Sequence, residues 1–512
     1  LSQKISAVKI NMGKQAFFDF LKDCGCCDIC CLRFFKARGE EYEDVDESLR
    51  KLGIDSGKVD KTLTKKPRAN TCVTCLDFFS DELQEELLTK ISSSEEMKNY
   101  DCDQIVIAIS LPILLHLRQI SIWLALVDKF GYVSKDKPPD VPIKEAAKLI
   151  LGKKICQRLN KTYDQNGTML NIYVNHADEA AELESFLKAD QTIFEKNRNP
   201  RGKQRKGITR NYLERTYLPS NVSSEVFGNH FSVPPSVSNT PVYLEKITVI
   251  GPTVFAAGRY QKLSRELSHS PWVLQGKRVM EDSIQELIVR CAAPYFGVPE
   301  DKIIFSSSGR EDVDVRCLGK GRPFVLEIPD SRKTLLSMEE AAKIEIAVEK
   351  HPKISIQNLQ IVKREELNFI KAGEERKRKF YRALCVLKIP ATVEILEKLN
   401  MPNGFEIEQL TPLRVLHRRP LHKRPRTVYS VKAFVDRENP KALIMDIVTQ
   451  AGTYIKELIH GEFGRTSPSI SSIIGEWIDI IALDVTGIDL DWPKEVDNRS
   501  SLLDSNCANT CR

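Results

Sequence analysis

Histidine is scarce in this chain, with 8 in 512 residues. None recurs at the H-x-x-x-H helical spacing beside acids that an open, hydrolytic metal site requires. A zinc hydrolase or nuclease therefore has no ligand set. A P-loop and a convincing dinucleotide fingerprint are also missing, so phosphoryl and hydride transfer have no motif to rest on. Long apolar runs are lacking too. The best candidate, Ile105 to Val127, is broken at its centre by Pro112, His116, Arg118 and Gln119, where a bilayer would penalise a charge by roughly 2.5 kcal/mol or more. A buried strand followed by a buried helix is expected there, with Pro112 in the turn or the first helical turn, and no membrane is expected as a partner. The opening residues carry no charged n-region, short apolar core and small-residue cleavage site. Neither sign of charge dominates. The 76 Lys and Arg against 70 Asp and Glu leave a net +6, too mild by itself to indicate a polyanionic partner.

The chain does have enough apolar residues, 42% of 512, to fill two to four cores. It also has 14 cysteines, half of them in close-spaced groups near the N-terminus. Without a secretory signal, such grouping points to metal ligation and a reducing compartment rather than a disulfide framework. Cys27 and Cys30 form one C-x-x-C pair and Cys72 and Cys75 a second, the ligand set of a closed tetrahedral zinc site. Cys24 with Cys27 has the same spacing, and Cys26 and Cys31 crowd the first pair, so more than one ligand choice is open. Unligated buried thiols or redox cysteines are the rival reading. A four-thiolate site would stabilise a small module and leave no open coordination position, so the zinc is expected to be structural.

Composition suggests a metal-stapled module over residues 1–100 and a mixed domain over 101–235. That domain ends in the acid-free basic run KNRNPRGKQRKGITR, Lys196 to Arg210, and a Ser, Asn and Pro-rich passage. From 240 to 492, β-branched segments such as VYLEKITVI, TVFAAGRY, RPFVLEI and RTVYSVKAFVD alternate with helical patterns. This predicts an α/β (α+β) domain on a central mixed or antiparallel sheet. Residues 493–512 lose the apolar pattern and read as a mobile tail.

The segment SSSGREDVDVRCLGKGRPF, Ser306 to Phe324, gathers glycines, paired acids and arginines between two strand signals. This is the composition of an active-site loop or of a charged hairpin. Its Gly309-Arg310-Glu311-Asp312 resembles the signature of the pseudouridine synthases, in which one aspartate is catalytic. AGTYIKEL, Ala451 to Leu458, resembles the element that supplies an aromatic and a basic partner, here Tyr454 and Lys456. KFYRALCVLKI between them resembles the motif whose tyrosine, here Tyr381, stacks on the target base. FAAGRYQKLSRELSHSPW, TPLRVLHRRPL and QAGTYIKELIHGEFGRTSPS narrow the resemblance to the archaeal and eukaryotic tRNA class with an N-terminal zinc- and THUMP-containing accessory domain.

That resemblance implies Asp312 and Lys456 as catalytic residues. It implies Tyr381, Tyr454, Arg310 and Arg316 as substrate contacts, Cys27, Cys30, Cys72 and Cys75 as zinc ligands, and a THUMP-like RNA-binding fold for 101–235. The implied reaction is redox-neutral isomerisation of uridine 54 or 55 in the tRNA T-arm, with no organic cofactor. tRNA and other structured RNAs are the expected partners of a monomeric enzyme in the nucleus or cytoplasm or both, a mitochondrial pool being left open. Asp314 is the fallback nucleophile. A second basic cluster, HRRPLHKRPR from His417 to Arg426, adds to the RNA reading. The rival function is a noncatalytic, zinc-bearing RNA-binding or processing factor.

Overall fold

The computed structural model describes residues 2–55, 71–184, 186, 188, 213, 216–372 and 377–496. The basic run Lys196 to Arg210 and most of the expected C-terminal tail, 497–512, lie outside these residues. The chain divides into two units, Leu1–Gly251 and Pro252–Arg512. None of the described helices is long and apolar enough to cross a membrane.

In the first unit, strand β1 (Gln104–Ser110) pairs in parallel with β2 (Thr162–Tyr163) and β3 (Thr168–Asn175), and β3 pairs antiparallel with β4 (Tyr243–Ile250). Alternate residues of β1, Ile105, Ile107 and Ile109, are buried, the period-2 pattern of a strand with one face on a core. Pro112 then sits at the N-cap of helix Ile113–Lys129, where its missing N–H leaves no bond unmade. The stretch Ile105 to Val127 is thus a strand and a helix packed in the first unit's hydrophobic core, as its broken hydrophobicity predicts.

Residues expected to form two separate domains, 1–100 and 101–235, share one hydrophobic core that runs from Phe17 through Cys30 and Cys75 to Leu170 and Val249. Buried Arg33 joins them. Its Nε donates to the Val141 carbonyl at 2.8 Å and its second nitrogen to Asp140 at 2.7 Å. Arg118 does the same from helix Ile113–Lys129, bonding the Val73 carbonyl at 3.1 Å and pairing with Glu182. The strand VYLEKITVI, expected to open the catalytic domain, belongs to this first unit. Its residues 243–250 complete the β3 ladder, and the second unit begins at Pro252. Period and β-branching identified a strand but could not name its neighbour.

The second unit is built on a ten-stranded sheet. One flank comprises β10 (Ile354–Val362), β5 (Val254–Lys262) and β9 (Val315–Ile328), with β8 (Ile304–Ser307) also on β9. Helices Ile284–Phe296 and Met338–Glu349 cover it. Ser283 caps the first helix and Gly297, left-handed, ends it, while Ser337 and Glu340 form a capping box on the second. The other flank runs β16 (Ile478–Ile488), β11 (Arg378–Leu387), β14 (Ala442–Gln450), β13 (Lys423–Val435), β12 (Phe405–Leu410) and β15 (Thr466–Ser467). It packs a second core that includes Tyr381, Leu443, Ile455 and Leu458. A short hairpin of β6 (Val273–Leu274) and β7 (Lys277–Arg278) stands apart.

All pairs in this sheet are antiparallel except the central one. β16 and β9 meet in parallel over three residue pairs, Leu483 with Val315, Asp484 with Arg316 and Val485 with Cys317. Gly319 and Gly321 let β9 pass between its neighbours, since both have positive φ and a Cβ would strike the Thr486 and Tyr260 carbonyls respectively. The short seam is reinforced by charge. Arg316 grips Asp484 with two bonds of 2.9 and 2.6 Å, and Arg265 adds a third at 2.6 Å.

Burial works against ionisation of Asp484, but Arg316 and Arg265 overcome it and hold the carboxyl below its ordinary value. The stabilisation is therefore present above the unfolded carboxylate value of about 4 and is lost as pH falls through the lower folded value. Asp484→Asn is expected to lower the thermal midpoint at pH 7. The gap from wild type should close as pH drops below about 4. Melting curves across a pH series check this, and an undiminished gap at low pH would refute the seam's dependence on that charge.

Candidate active site

The loop between β8 and β9, residues 308–314, arrives at the parallel seam, because Val315 is the first residue paired with β16. Here the sheet opens into a cavity of about 960 Å³, large enough for a nucleoside. Its walls come from this loop, from β11, from the segment 414–426 and from the turn 450–456.

Two successive acids of the loop point to opposite ends of the chemistry. Glu311 faces down. It is buried, accepts from Arg322 Nε at 2.9 Å and from the Tyr260 hydroxyl at 3.1 Å, and so pins the loop to β9 and β5. Lys262, also buried, donates to the carbonyls of Asp312 and Val315 at 2.9 Å each, and to that of Val313. Burial pulls its ammonium down to about 8 against the opposing pull of Glu311, Asp314 and Asp312. Asp312, between these anchors, keeps a third of its side chain open to the cavity.

Asp312 Oδ2 lies 2.7 Å from Arg414 and 3.8 Å from Lys456 Nζ. Lys456 makes its short contact, 2.6 Å, with Asp314. Burial works against the Asp314 carboxyl, but Lys456 prevails and holds it below its usual range. Arg414 spans two acids, since its Nε also meets buried Glu457 at 2.7 Å. Its guanidinium lies 5.9 Å from the Tyr454 ring centre. Tyr454 is fixed by Gln409, whose amide exchanges two 2.9 Å bonds with the Tyr454 backbone. Tyr381, 9% exposed, forms part of the cavity wall from β11. Burial raises its phenol to about 12, so the ring stays neutral. Burial also pulls His269 down to about 4, leaving a neutral imidazole bonded to Ser307 at 2.9 Å. A carboxylate backed by two cations is what the site offers chemically, with Arg310, Arg418, Arg419, Arg424 and Arg426 also lining it.

Asp312, Lys456, Tyr381, Tyr454 and Arg310 are thus brought to one cavity. Arg316, expected as a substrate contact, is not among the residues lining the cavity. It sits one strand position past the loop and spends its guanidinium on Asp484. Asp314 lies off the cavity wall, with 62% of its side chain exposed. Arg414 and Lys262 received no role from the sequence, although both stand within the quoted motifs TPLRVLHRRPL and FAAGRYQKLSRELSHSPW.

In the first unit, the Sγ atoms of Cys27, Cys30, Cys72 and Cys75 lie within 4.8 Å of one another. The Cys27–Cys75 separation is 3.8 Å, matching the roughly 3.8 Å edge of a tetrahedron with Zn–S bonds of about 2.3 Å. Backbone N–H groups of Cys27 and Cys30 donate to Cys72 and Cys27 sulfurs at 3.2 and 3.4 Å, and Arg33 donates to Cys30 at 3.4 Å. Such donors suit thiolates, so this donor set fits a metal ion. Cys24 is outside the group, and Cys26 instead meets the Thr74 hydroxyl at 3.1 Å.

The mixed sheet with its central parallel seam thus presents one aspartate, a buried tyrosine and basic partners in a nucleoside-sized cavity. The family description "Pus10, C-terminal" matches residues 255–489, and "Eukaryotic Pus10, N-terminal" matches 72–249. The chain belongs to the Pus10 family. It is 52% identical to Pus10 of Drosophila melanogaster over 95% of this chain and 99% of that protein. It is 33% identical to the tRNA pseudouridine synthase Pus10 of Homo sapiens over 90% and 87%. With the Pyrococcus furiosus protein of that name the identity is 38%, over 47% of this chain and 58% of the relative. A solved Cbf5-Nop10-Gar1 complex matches at 18% identity over 39% of this chain and 44% of its own, with a TM-score of 0.24, too slight a likeness to bear argument.

Proposed function

We propose that this protein isomerises uridine 54 or 55 of the tRNA T-arm to pseudouridine, with Asp312 as the catalytic carboxylate. The observation that carries the reading is Asp312 held open to the cavity by Lys262 and Glu311 behind it, with Arg414 at 2.7 Å and Lys456 at 3.8 Å in front. The target nucleotide leaves its stack and enters the cavity. The bond from uracil N1 to the sugar breaks, a bond from C5 to the same sugar carbon forms, and the proton lost from C5 is balanced by one gained at N1. Asp312 starts this as a carboxylate, by adding to the sugar or by abstracting a proton from it. Arg414 at 2.7 Å and Lys456 at 3.8 Å set positive charge against it. Tyr381 stacks on the flipped base, a contact worth about 1–3 kcal/mol. The arginines of 414–426 neutralise phosphates, and the first unit serves as a THUMP-like accessory that grips RNA by shape. Zinc on the four thiolates would cross-link that unit and supply no reacting group.

The test is to incubate unmodified tRNA transcript with the enzyme and map pseudouridine by carbodiimide modification and primer extension. Product at T-arm uridines is expected from wild type. Arg414→Met should form it at the same site at roughly a hundredth of the single-turnover rate, the usual cost of removing one charged donor from a reacting centre. Product elsewhere, or none, would refute the T-arm assignment.

A further inference from the structure

Phe463 is 97% exposed, the most exposed large apolar side chain among the described residues. It also holds a positive φ of 56°, in a run in which Gly461, Glu462 and Gly464 are positive as well. Left-handed backbone is costly for a phenylalanine, and a ring left in water returns nothing to folding. A conformation of this kind persists only where its surroundings over-determine it. They do so here. Gly461 N–H bonds the Glu457 carbonyl at 2.9 Å and Thr466 N–H the Gly461 carbonyl at 3.2 Å. Arg465 meets Glu462 at 3.3 Å. Glu462 Oε1 accepts from Leu413 N–H at 3.0 Å.

That last bond places the loop. Leu413, itself 49% exposed, precedes Arg414, which reaches Asp312 at 2.7 Å. Phe463 therefore stands on a rigid turn fastened to the segment that forms the cavity's basic wall, where Arg418 and Arg419 are also exposed. A bare aromatic on a turn bonded to an arginine-bearing segment has the chemistry of a stacking platform on a polyanion's bases.

We propose that Phe463 stacks on the base left bare beside the target uridine when that nucleotide leaves its stack. Phe463 is thus a substrate-positioning residue outside the cavity, and its role rests on the uridine-isomerising reading of the cavity itself. The ring replaces stacking that the flipped nucleotide withdraws, so the open form of the RNA is held by the protein.

The experiment uses full-length protein and tRNA transcripts carrying 2-aminopurine on either side of the target uridine, with Phe463→Ala, Phe463→Gly and Phe463→Trp. Wild type is expected to quench one of the two probes, and Ala and Gly to leave it bright. Both should weaken transcript binding by roughly 5- to 150-fold and raise KM more than they lower kcat, while Trp restores binding. Phe463→Gly should melt no lower than wild type, because glycine accepts the positive φ without strain. That separates an RNA contact from a structural role. If wild type modifies the transcript and Ala and Gly bind it within twofold of wild type, this inference falls while the synthase reading stands. If wild type forms no pseudouridine, the reading falls and the inference with it.

Discussion

Asp312→Asn is expected to lower pseudouridine formation by on the order of 10⁴-fold or more while tRNA binding persists. The amide keeps the volume and the hydrogen-bonding shape of the carboxylate but can neither add to the sugar nor take its proton. The fold should tolerate the change, because neither cation is orphaned. Arg414 retains Glu457 at 2.7 Å and Lys456 retains Asp314 at 2.6 Å. The loop also keeps the Lys262 and Glu311 anchors, neither of which uses the Asp312 side chain. Removing one negative charge from a cavity meant for RNA should leave affinity equal or slightly higher. The decisive measurement is single-turnover conversion of labelled transcript, with binding followed separately. A variant that keeps more than about a tenth of the wild-type rate would transfer the chemistry to another carboxylate, Asp314 first, and Asp314→Asn should otherwise leave most of the activity in place.

The second large effect concerns the four thiols. Chelation, or Cys72→Ser, is expected to unfold much of the first unit, because Cys30, Cys72 and Cys75 are fully buried and their module shares its core with strand β1 and helix Ile113–Lys129. Bound structural zinc is worth about 10–16 kcal/mol in small zinc domains, comparable to the whole 5–15 kcal/mol stability of a typical domain. Even a third of that would lower the melting midpoint by about 10 °C or more. Elemental analysis should find one zinc per wild-type chain and none after Cys72→Ser. Cys24→Ser is the control, since Cys24 lies outside the four-thiol group, and should change neither metal content nor melting. Melting unaffected by chelation would remove the metal from the account of this unit's stability.

Much of the site could be read without coordinates, for a reason rooted in local chemistry. Asp312, Tyr381, and Tyr454 with Lys456 stand in three short segments that each resemble a family motif, and the three segments come together in one cavity. Arg414 did not announce itself, because its meaning is a bond to a residue 102 positions away. Lys262 is similar: a lysine at the end of a strand reads as solvated until the strand is seen to run beneath the Asp312 loop. Arg316 shows the opposite case. In sequence it belongs to the catalytic segment, but its partner Asp484 is 168 residues on, across a parallel seam that no periodicity discloses.

By itself, then, the sequence determined the family and with it the class of chemistry, the aspartate proposed for it, the paired C-x-x-C motifs and the presence of strands and helices, since these depend on short motifs and on spacings within one element. Tertiary structure decided which strand joins which sheet, which cations face the carboxylate, which of the crowded cysteines converge, and that Phe463 is presented bare on a turn tied to Leu413. Those outcomes depend on contacts between residues distant in the chain, where packing and charge pairing choose among arrangements that local pattern leaves equal.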